Sequence, residues 1–166
     1  VFGEVEMSDE VKMDIRQAHA FFATSLNGEV WELLEKTNRT EEDDEKMLSA
    51  AYASFYHWLH VGTKVNIQRA HWLIARVHIA LGRLAGAAWH SGRCMQLTTD
   101  FPDEMKDFDV AYAFESSARV YAFSGNREQA RENYEIAKAL GEKIESEEDK
   151  AIFEADLACG KWFGIV

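Results

Sequence analysis

Proline is almost absent from this 166-residue sequence, which has only Pro102, and it has ten glycines. Strand-rich proteins need frequent turn residues, so this scarcity favours long helices. No apolar run approaches the roughly 18 residues of a membrane span, and we expect no membrane partner. The opening stretch VFGEVEMSDEVK is acidic where a signal peptide would be basic. The two cysteines, Cys94 and Cys159, form no CxxC pair, which is typical of reduced thiols in a cytoplasmic protein.

Acidic residues are missing from positions 51–99, although the formal net charge of the chain is −11. Residues 1–50 carry 13 acidic and 5 basic side chains, and residues 101–166 carry 15 and 8. The middle instead holds five of the six histidines and five cations: Lys64, Arg69, Arg76, Arg83 and Arg93. The overall charge argues against nucleic acid and anionic membranes as partners, because both are polyanions.

The motifs that indicate catalysis are also missing. The chain has no GxxxxGK[ST], GxSxG, GxGxxG or HExxH sequence. His57 and His60 lie on neighbouring turns of one helix and could face a common metal ion, but a site needs three or four ligands. His71 or His78 would have to complete the set of metal ligands. We expect no catalytic residue, no metal and no cofactor.

The spacing of apolar residues predicts seven or eight helices and no sheet, an all-α protein. Ser8 is predicted to begin the first helix, and Asn27-Gly28 to interrupt it. The predicted N-caps of later helices are Thr40, Thr63, Asn126 and Ser146. Gly62, Gly82 and Gly125 are predicted to end helices. Pro102 is placed in the first turn of a helix that runs to about Ser124.

An internal repeat organises the second half of these helices. ARVHIALG at 75–82 matches ARVYAFSG at 118–125 with an offset of 43 residues. The match continues at small residues, because Ala87 corresponds to Ala130 and Cys94 to Ala137. One helix–turn–helix unit written twice is typical of a helical-repeat fold.

The pattern resembles the tetratricopeptide repeat, which places small residues, an aromatic residue and a glycine at fixed positions. The first unit has Ala75, His78, Gly82, Ala87 and Cys94 there, and the second has Ala118, Tyr121, Gly125, Ala130 and Ala137. The offset of 43 exceeds the family's usual 34. The resemblance implies a single domain over 1–166, a short right-handed stack of antiparallel helix pairs. Residues 8–61 would form N-terminal helices, 64–144 two repeat units and 146–163 a C-terminal capping helix. The stretches GTKVNIQRAHWLIARV and EEDKAIFEADL also resemble a group of uncharacterised bacterial proteins, which implies no activity.

The resemblance also implies a binding face. In tetratricopeptide arrays the first helix of each unit lines a concave groove, and the corresponding residues here are Arg69, Trp72, Arg76, Tyr112, Glu115 and Arg119. Two arginines at one repeat position, with aromatic walls, could grip a carboxylate. We therefore expect a non-catalytic module that binds an acidic or carboxylate-bearing protein or peptide, with His57 and His60 at the groove margin.

Three alternatives remain open from the sequence. The central arginines could instead pair internally with flanking carboxylates such as Glu115 or Glu32. The histidine- and arginine-rich middle could belong to a small-ligand or metal-dependent enzyme or sensor. An apolar end helix could pair two copies into a homodimer.

Overall fold

The computed structural model describes residues 14–165, and all regular structure in that range is helical. The helices are α1 (Ile15–Glu35), α2 (Glu41–Val61), α3 (Lys64–Ala80), α4 (Leu84–Asp100), α5 (Asp107–Phe123), α6 (Arg127–Gly141) and α7 (Glu147–Ala158), with a 3₁₀ turn at Pro102–Glu104. The predicted start at Ser8 lies outside the described residues. Over the described range no helix is both long and apolar enough to cross a membrane.

The helices pack as adjacent pairs, which confirms the predicted all-α architecture. α1 packs on α2, α3 on α4, and α5 on α6. Short connections between successive helices make the members of each pair antiparallel. α2 then packs on α3 and α4 on α5, so the pairs form a stack, and α7 covers α5 and α6 at one end.

Most helix boundaries follow the predicted signals. Thr40, Asn126 and Ser146 each accept a hydrogen bond from the backbone N–H three residues later. Gly82 and Gly125 end α3 and α5 with φ of +71° and +83°, a conformation that glycine adopts without strain.

Two predicted boundaries are wrong. Asn27-Gly28 does not interrupt α1, which continues to Glu35 because Ala23, Val30 and Leu33 bury one continuous stripe. Pro102 does not open α5 either. It begins the separate 3₁₀ turn, and α5 starts at Asp107.

The repeat positions explain how the central pairs pack closely. The six small residues at these positions are fully buried: Ala75, Ala87, Cys94, Ala118, Ala130 and Ala137. The aromatic position differs between the units, since His78 is buried whereas Tyr121 is exposed.

Two apolar clusters form the core, one around Met47, Leu73 and Val77 and the other around Phe153 and Leu157. Tyr112 packs against both clusters, so the core is continuous along the stack.

Candidate functional site

A groove runs over α3 and α5, with α1 on one side and α7 on the other. It comprises two adjoining cavities of about 380 Å³ each, which share Trp31, Glu35 and Asp156. The first cavity is the more aromatic, and its lining includes Trp31, Trp72, Phe108, Tyr112 and Ile152. The lining of the second includes Leu34, Arg39, Arg76, Ile79, Arg119 and Lys161. The odd-numbered helices α1, α3, α5 and α7 thus supply this face.

Aromatic rings of the first cavity contact one another. The Trp31 and Trp72 ring centroids are 5.7 Å apart, and those of Trp72 and Tyr112 are 4.7 Å apart. The Arg76 guanidinium lies 5.5 Å from the Trp72 centroid and 5.8 Å from that of Trp31. These contacts fix the walls of the cavity before any ligand is bound.

Arg69 is held by a buried carboxylate at the other edge of the same cavity. Its Nε donates to Asp109 Oδ1 at 2.7 Å and its Nη2 to Asp109 Oδ2 at 3.0 Å. Asp109 is buried, but the Arg69 side chain keeps 41% of its surface exposed. The Arg69 guanidinium carbon also lies over the Phe108 ring, 4.7 Å from its centroid. Arg69 is therefore oriented from below and remains accessible from the groove.

Glu115 collects three donors beneath the groove floor. The Trp72 indole N–H donates to Oε2 at 2.9 Å, Arg76 donates to Oε1 at 3.3 Å, and Arg119 Nε also donates to Oε1. Glu115 is only 1% exposed. A buried carboxylate is costly unless it is paired and hydrogen-bonded, and these three donors meet that requirement.

Asp156 ties α7 to the same network. It accepts from Arg76 Nη2 at 3.2 Å and from the Tyr112 hydroxyl at 2.7 Å. Burial raises the pKa of Tyr112, and its hydrogen bond to Asp156 raises it further. For Arg76, burial alone would lower the pKa, but Glu115 and Asp156 raise it above its usual value. The phenol is thus a neutral donor and the guanidinium a cation at physiological pH.

Arg119 fastens the segment after α7 to α5. Its Nη2 donates to the carbonyls of Asp156 at 2.8 Å and Cys159 at 2.9 Å, and its Nη1 to that of Lys161 at 3.3 Å. The Trp162 ring centroid lies 3.9 Å from the guanidinium carbon. Arg119 therefore donates its hydrogen bonds to the protein's own backbone and to Glu115.

The six residues predicted to form the groove are brought together, but with different exposure. Arg69, Trp72, Arg76 and Tyr112 line it, Arg119 borders it while almost completely buried, and Glu115 lies below the floor. The three arginines are all paired with carboxylates, as the internal-pairing alternative expected for Glu115. The groove floor is thus a set of ion pairs and not a row of free guanidinium groups. Asp109 and Asp156 are the two carboxylate partners of these arginines that the charge pattern did not identify.

His57 and His60 lie elsewhere, and neither contributes to the groove lining. They form a surface cluster with His19 between α1 and α2. His19 Nδ1 is 2.8 Å from His57 Nδ1, and the His19 and His60 rings stack at 4.2 Å. The expectation that these two histidines mark the groove margin is wrong, because α2 is the outer helix of its pair.

The other three histidines form a second cluster with Tyr52. The Tyr52 hydroxyl is 3.0 Å from His78 Nε2 and from His90 Nε2, and His71 Nδ1 is 2.9 Å from His90 Nδ1. His57 and His60, which a metal site would combine with His71 or His78, therefore lie in a different cluster from those two histidines. Among residues 14–165, no three His, Cys, Asp or Glu side chains are arranged to hold a metal ion.

Sequence reasoning missed several groove residues. Trp31 and Ile152 belong to helices outside the clear repeat, so the repeat positions did not point to them. Asp109 did carry a signal, since it interrupts the apolar stretch DFDVAYAFE and a charge on a core-facing helix stripe needs a buried partner. Comparison with family models, curated proteins and solved structures found no match to this chain.

Proposed function

We propose that the protein is a non-catalytic interaction module whose concave groove binds a segment of a partner protein or peptide. The observation that supports this most directly is the aromatic cavity of about 380 Å³ between α1 and α7. Aromatic side chains with fixed rings provide contact area at little entropic cost, which is typical of binding surfaces. The tetratricopeptide-like arrangement suggested by the repeat is consistent with this use.

The preferred ligand in this proposal is an apolar or aromatic side chain beside a carboxylate. The apolar part would enter between Trp31, Trp72 and Ile152. The carboxylate would reach Arg69, whose guanidinium is exposed to the groove while Asp109 orients it. Arg76 and Arg119 would support the walls, because their donors are occupied by protein groups.

Selection of peptides tests the proposal. A display library of random 12-residue peptides would be selected on the wild-type protein, and each enriched peptide measured by fluorescence anisotropy. Enriched peptides should share an aromatic or branched apolar residue next to Asp, Glu or the C-terminal carboxylate. Replacing that carboxylate by a carboxamide should weaken binding about tenfold, since the ionic hydrogen bond to Arg69 is lost.

A matched pair of variants locates the binding face. Ile152 is 53% exposed in the groove and Ile15 is 80% exposed at the start of α1, so either can be replaced without opening the core. Ile152→Glu should weaken the enriched peptides at least tenfold, while Ile15→Glu should leave their affinity unchanged. Peptides that bind the Ile152→Glu variant as tightly as wild type would exclude the groove as their site.

The alternative function, a metal-dependent or small-ligand enzyme or sensor, has a separate test. Metal analysis of the purified, untagged protein should detect stoichiometric zinc, iron or manganese if a metal centre is present. Such a result would replace the interaction module as the preferred function.

A further inference from the structure

The groove does not use a set of aromatic and basic residues on the opposite side of the stack. The outer helices α2 and α4 carry a surface that we call the α2–α4 face. Its members are Tyr52, Tyr56, Arg83, Trp89 and Arg93. Trp89 is 58% exposed, and both tyrosines are also exposed.

The histidine cluster of His71, His78 and His90 lies beneath this face and joins Trp89 to Tyr52. The His90 ring centroid lies 4.6 Å from that of Trp89 and 5.4 Å from that of Tyr52. Trp89 also contacts His71 at 5.6 Å. Burial lowers the pKa of His71 and His90 to about 4, so both rings are neutral at physiological pH. The floor is therefore uncharged, and the charge of the face comes from its arginines.

Arg83 and Arg93 differ from the arginines of the groove because no carboxylate of residues 14–165 pairs with them. Within the described part of the chain, neither forms an ion pair with a carboxylate; Arg93 donates to the neutral amide of Gln96. Helical geometry places positions 83, 89 and 93 within about 120° of one another around α4. The two cations are separated by about 15 Å along the helix, with Trp89 between them.

We propose that the α2–α4 face binds an acidic amphipathic segment of a partner protein. Tryptophan, tyrosine and arginine are the residues most enriched at the energetic centres of protein interfaces, and all three occur here together. Charge complementarity selects the partner, since the face combines two unpaired arginines with a stretch of sequence, 51–99, that has no Asp or Glu. A second copy paired symmetrically through this face would bring the arginines of the two copies together, which disfavours self-association.

The spacing defines the partner segment more closely. An apolar or aromatic residue would pack on Trp89, and acidic residues about 15 Å apart would reach the two arginines. That distance corresponds to about ten residues of helix or four to five residues of an extended strand. This face is separate from the concave groove, so the inference does not depend on the proposed function.

A synthetic probe tests the inference directly. A fluorescein-labelled helical peptide of 14 residues would carry Leu and Phe at its centre and Glu in both terminal turns. We expect it to bind with an affinity that falls as NaCl is raised from 50 to 300 mM. The same peptide with Gln in place of Glu should bind at least tenfold more weakly. Equal binding of the two peptides would overturn the proposal.

Variants then test whether the acidic peptide binds at the α2–α4 face. Arg83→Gln combined with Arg93→Gln should weaken the acidic peptide about tenfold, and Trp89→Ser should do the same. The matched control is Arg131→Gln combined with Lys138→Gln, which removes the same charge from exposed positions on α6 and should not change affinity. The groove variant Ile152→Glu should likewise bind the probe as wild type does. Loss of binding in either control would overturn the assignment.

Folding and self-association are checked on the same samples. The Arg83→Gln, Arg93→Gln double variant should keep the wild-type urea midpoint, because neither arginine forms an ion pair with a described residue. Trp89→Ser loses ring contacts with His71 and His90 but should remain fully folded in the absence of urea, since the Trp89 side chain is 58% exposed. Sedimentation velocity at several concentrations should give the same species for wild type and Trp89→Ser. A wild-type dimer that disappears in Trp89→Ser would assign the face to a second copy and overturn the proposal of an acidic partner.

Discussion

Glu115 is the residue on which the groove floor depends most. Removing its carboxylate would leave Arg76 and Arg119 without the shared acceptor that neutralises them. We expect Glu115→Ala to lower the free energy of unfolding by about 3–5 kcal/mol, the usual cost of breaking a buried ion pair. Urea denaturation monitored by tryptophan fluorescence measures it. The exposed pair of Lys36 and Asp43 supplies the control, and Lys36→Met should cost less than about 1 kcal/mol. Similar losses in both variants would contradict a structural role for the buried network.

The same network changes the interpretation of the arginine pair. Arginines that stood free in the groove could be replaced by alanine without affecting folding. Arg119 is not free in this sense, because it joins Glu115 to the backbone carbonyls of Asp156 in α7 and of Cys159 and Lys161 after it. Ligand binding should therefore be tested at Ile152, where the side chain is exposed and makes no comparable contacts.

Position 86 requires glycine, because the His78 imidazole packs directly against it. A Cβ at position 86 would lie 2.5 Å from His78 Nδ1, and the hydrogen bond to Tyr52 limits how far that ring can turn away. Gly92 is in the same helix, but a Cβ there would meet nothing within 4 Å. We expect Gly86→Ala to destabilise the protein by about 1–3 kcal/mol and Gly92→Ala to stabilise it by up to about 1 kcal/mol. Urea titrations of the two variants measure both effects, and an equal response would show that the His78 ring can move freely.

Among the elements, α1 shows how a local signal is overridden by packing. Asn27-Gly28 is a common helix break, but the buried stripe of α1 on α2 continues through it. A Cβ at Gly28 would face open space. Gly28→Ala should therefore raise the midpoint of thermal unfolding by about 2–4 °C, because alanine is about 1 kcal/mol more favourable than glycine in a helix. Calorimetry measures the shift, and a lower midpoint would indicate that α1 needs the flexibility of glycine.

The elements could be predicted from the sequence more completely than the site. Apolar periodicity and capping residues such as Thr40 and Ser146 are local, so they identify α2 to α7 without knowledge of the fold. The pairing of Arg69 with Asp109 depends on how α3 and α5 face each other, which periodicity does not specify. The repeat brought Trp72, Arg76 and Glu115 together correctly, since repeated units place equivalent residues on adjacent helices. Trp31 and Asp156 lie outside the repeat, so their place in the groove could be identified only from the structure.

At the scale of the whole molecule, the uneven charge of the sequence separates into two surfaces. On the concave side, arginines of the acid-free middle meet carboxylates of α5 and α7 and are neutralised. On the outer side, the exposed Arg83 and the half-buried Arg93 of the same middle segment lie on the face that carries exposed aromatic rings. Internal pairing thus accounts for the arginines of the groove side, including Arg69, which stays partly exposed, whereas Arg83 and Arg93 have no such pairing among the described residues.

Acid should destabilise the whole molecule through its buried imidazoles. Burial, with smaller contributions from Arg93 at His71 and from neighbouring imidazoles at His90, lowers the pKa of both histidines to about 4. In the unfolded chain these groups titrate near 6.5. Below that pH the unfolded chain binds protons that the folded protein excludes. The stability is therefore complete above about pH 6.5 and decreases as the pH falls toward 4.

We expect the free energy of unfolding to fall by about 2–4 kcal/mol between pH 7.5 and pH 5 from these two histidines together. Urea titrations at pH 7.5, 6 and 5 measure the slope. His90→Gln should reduce it, because the amide can replace a hydrogen bond but does not titrate. His60→Gln removes an exposed histidine and is the matched control. A stability that stays constant over this range in wild type would show that the cluster accepts protons without unfolding.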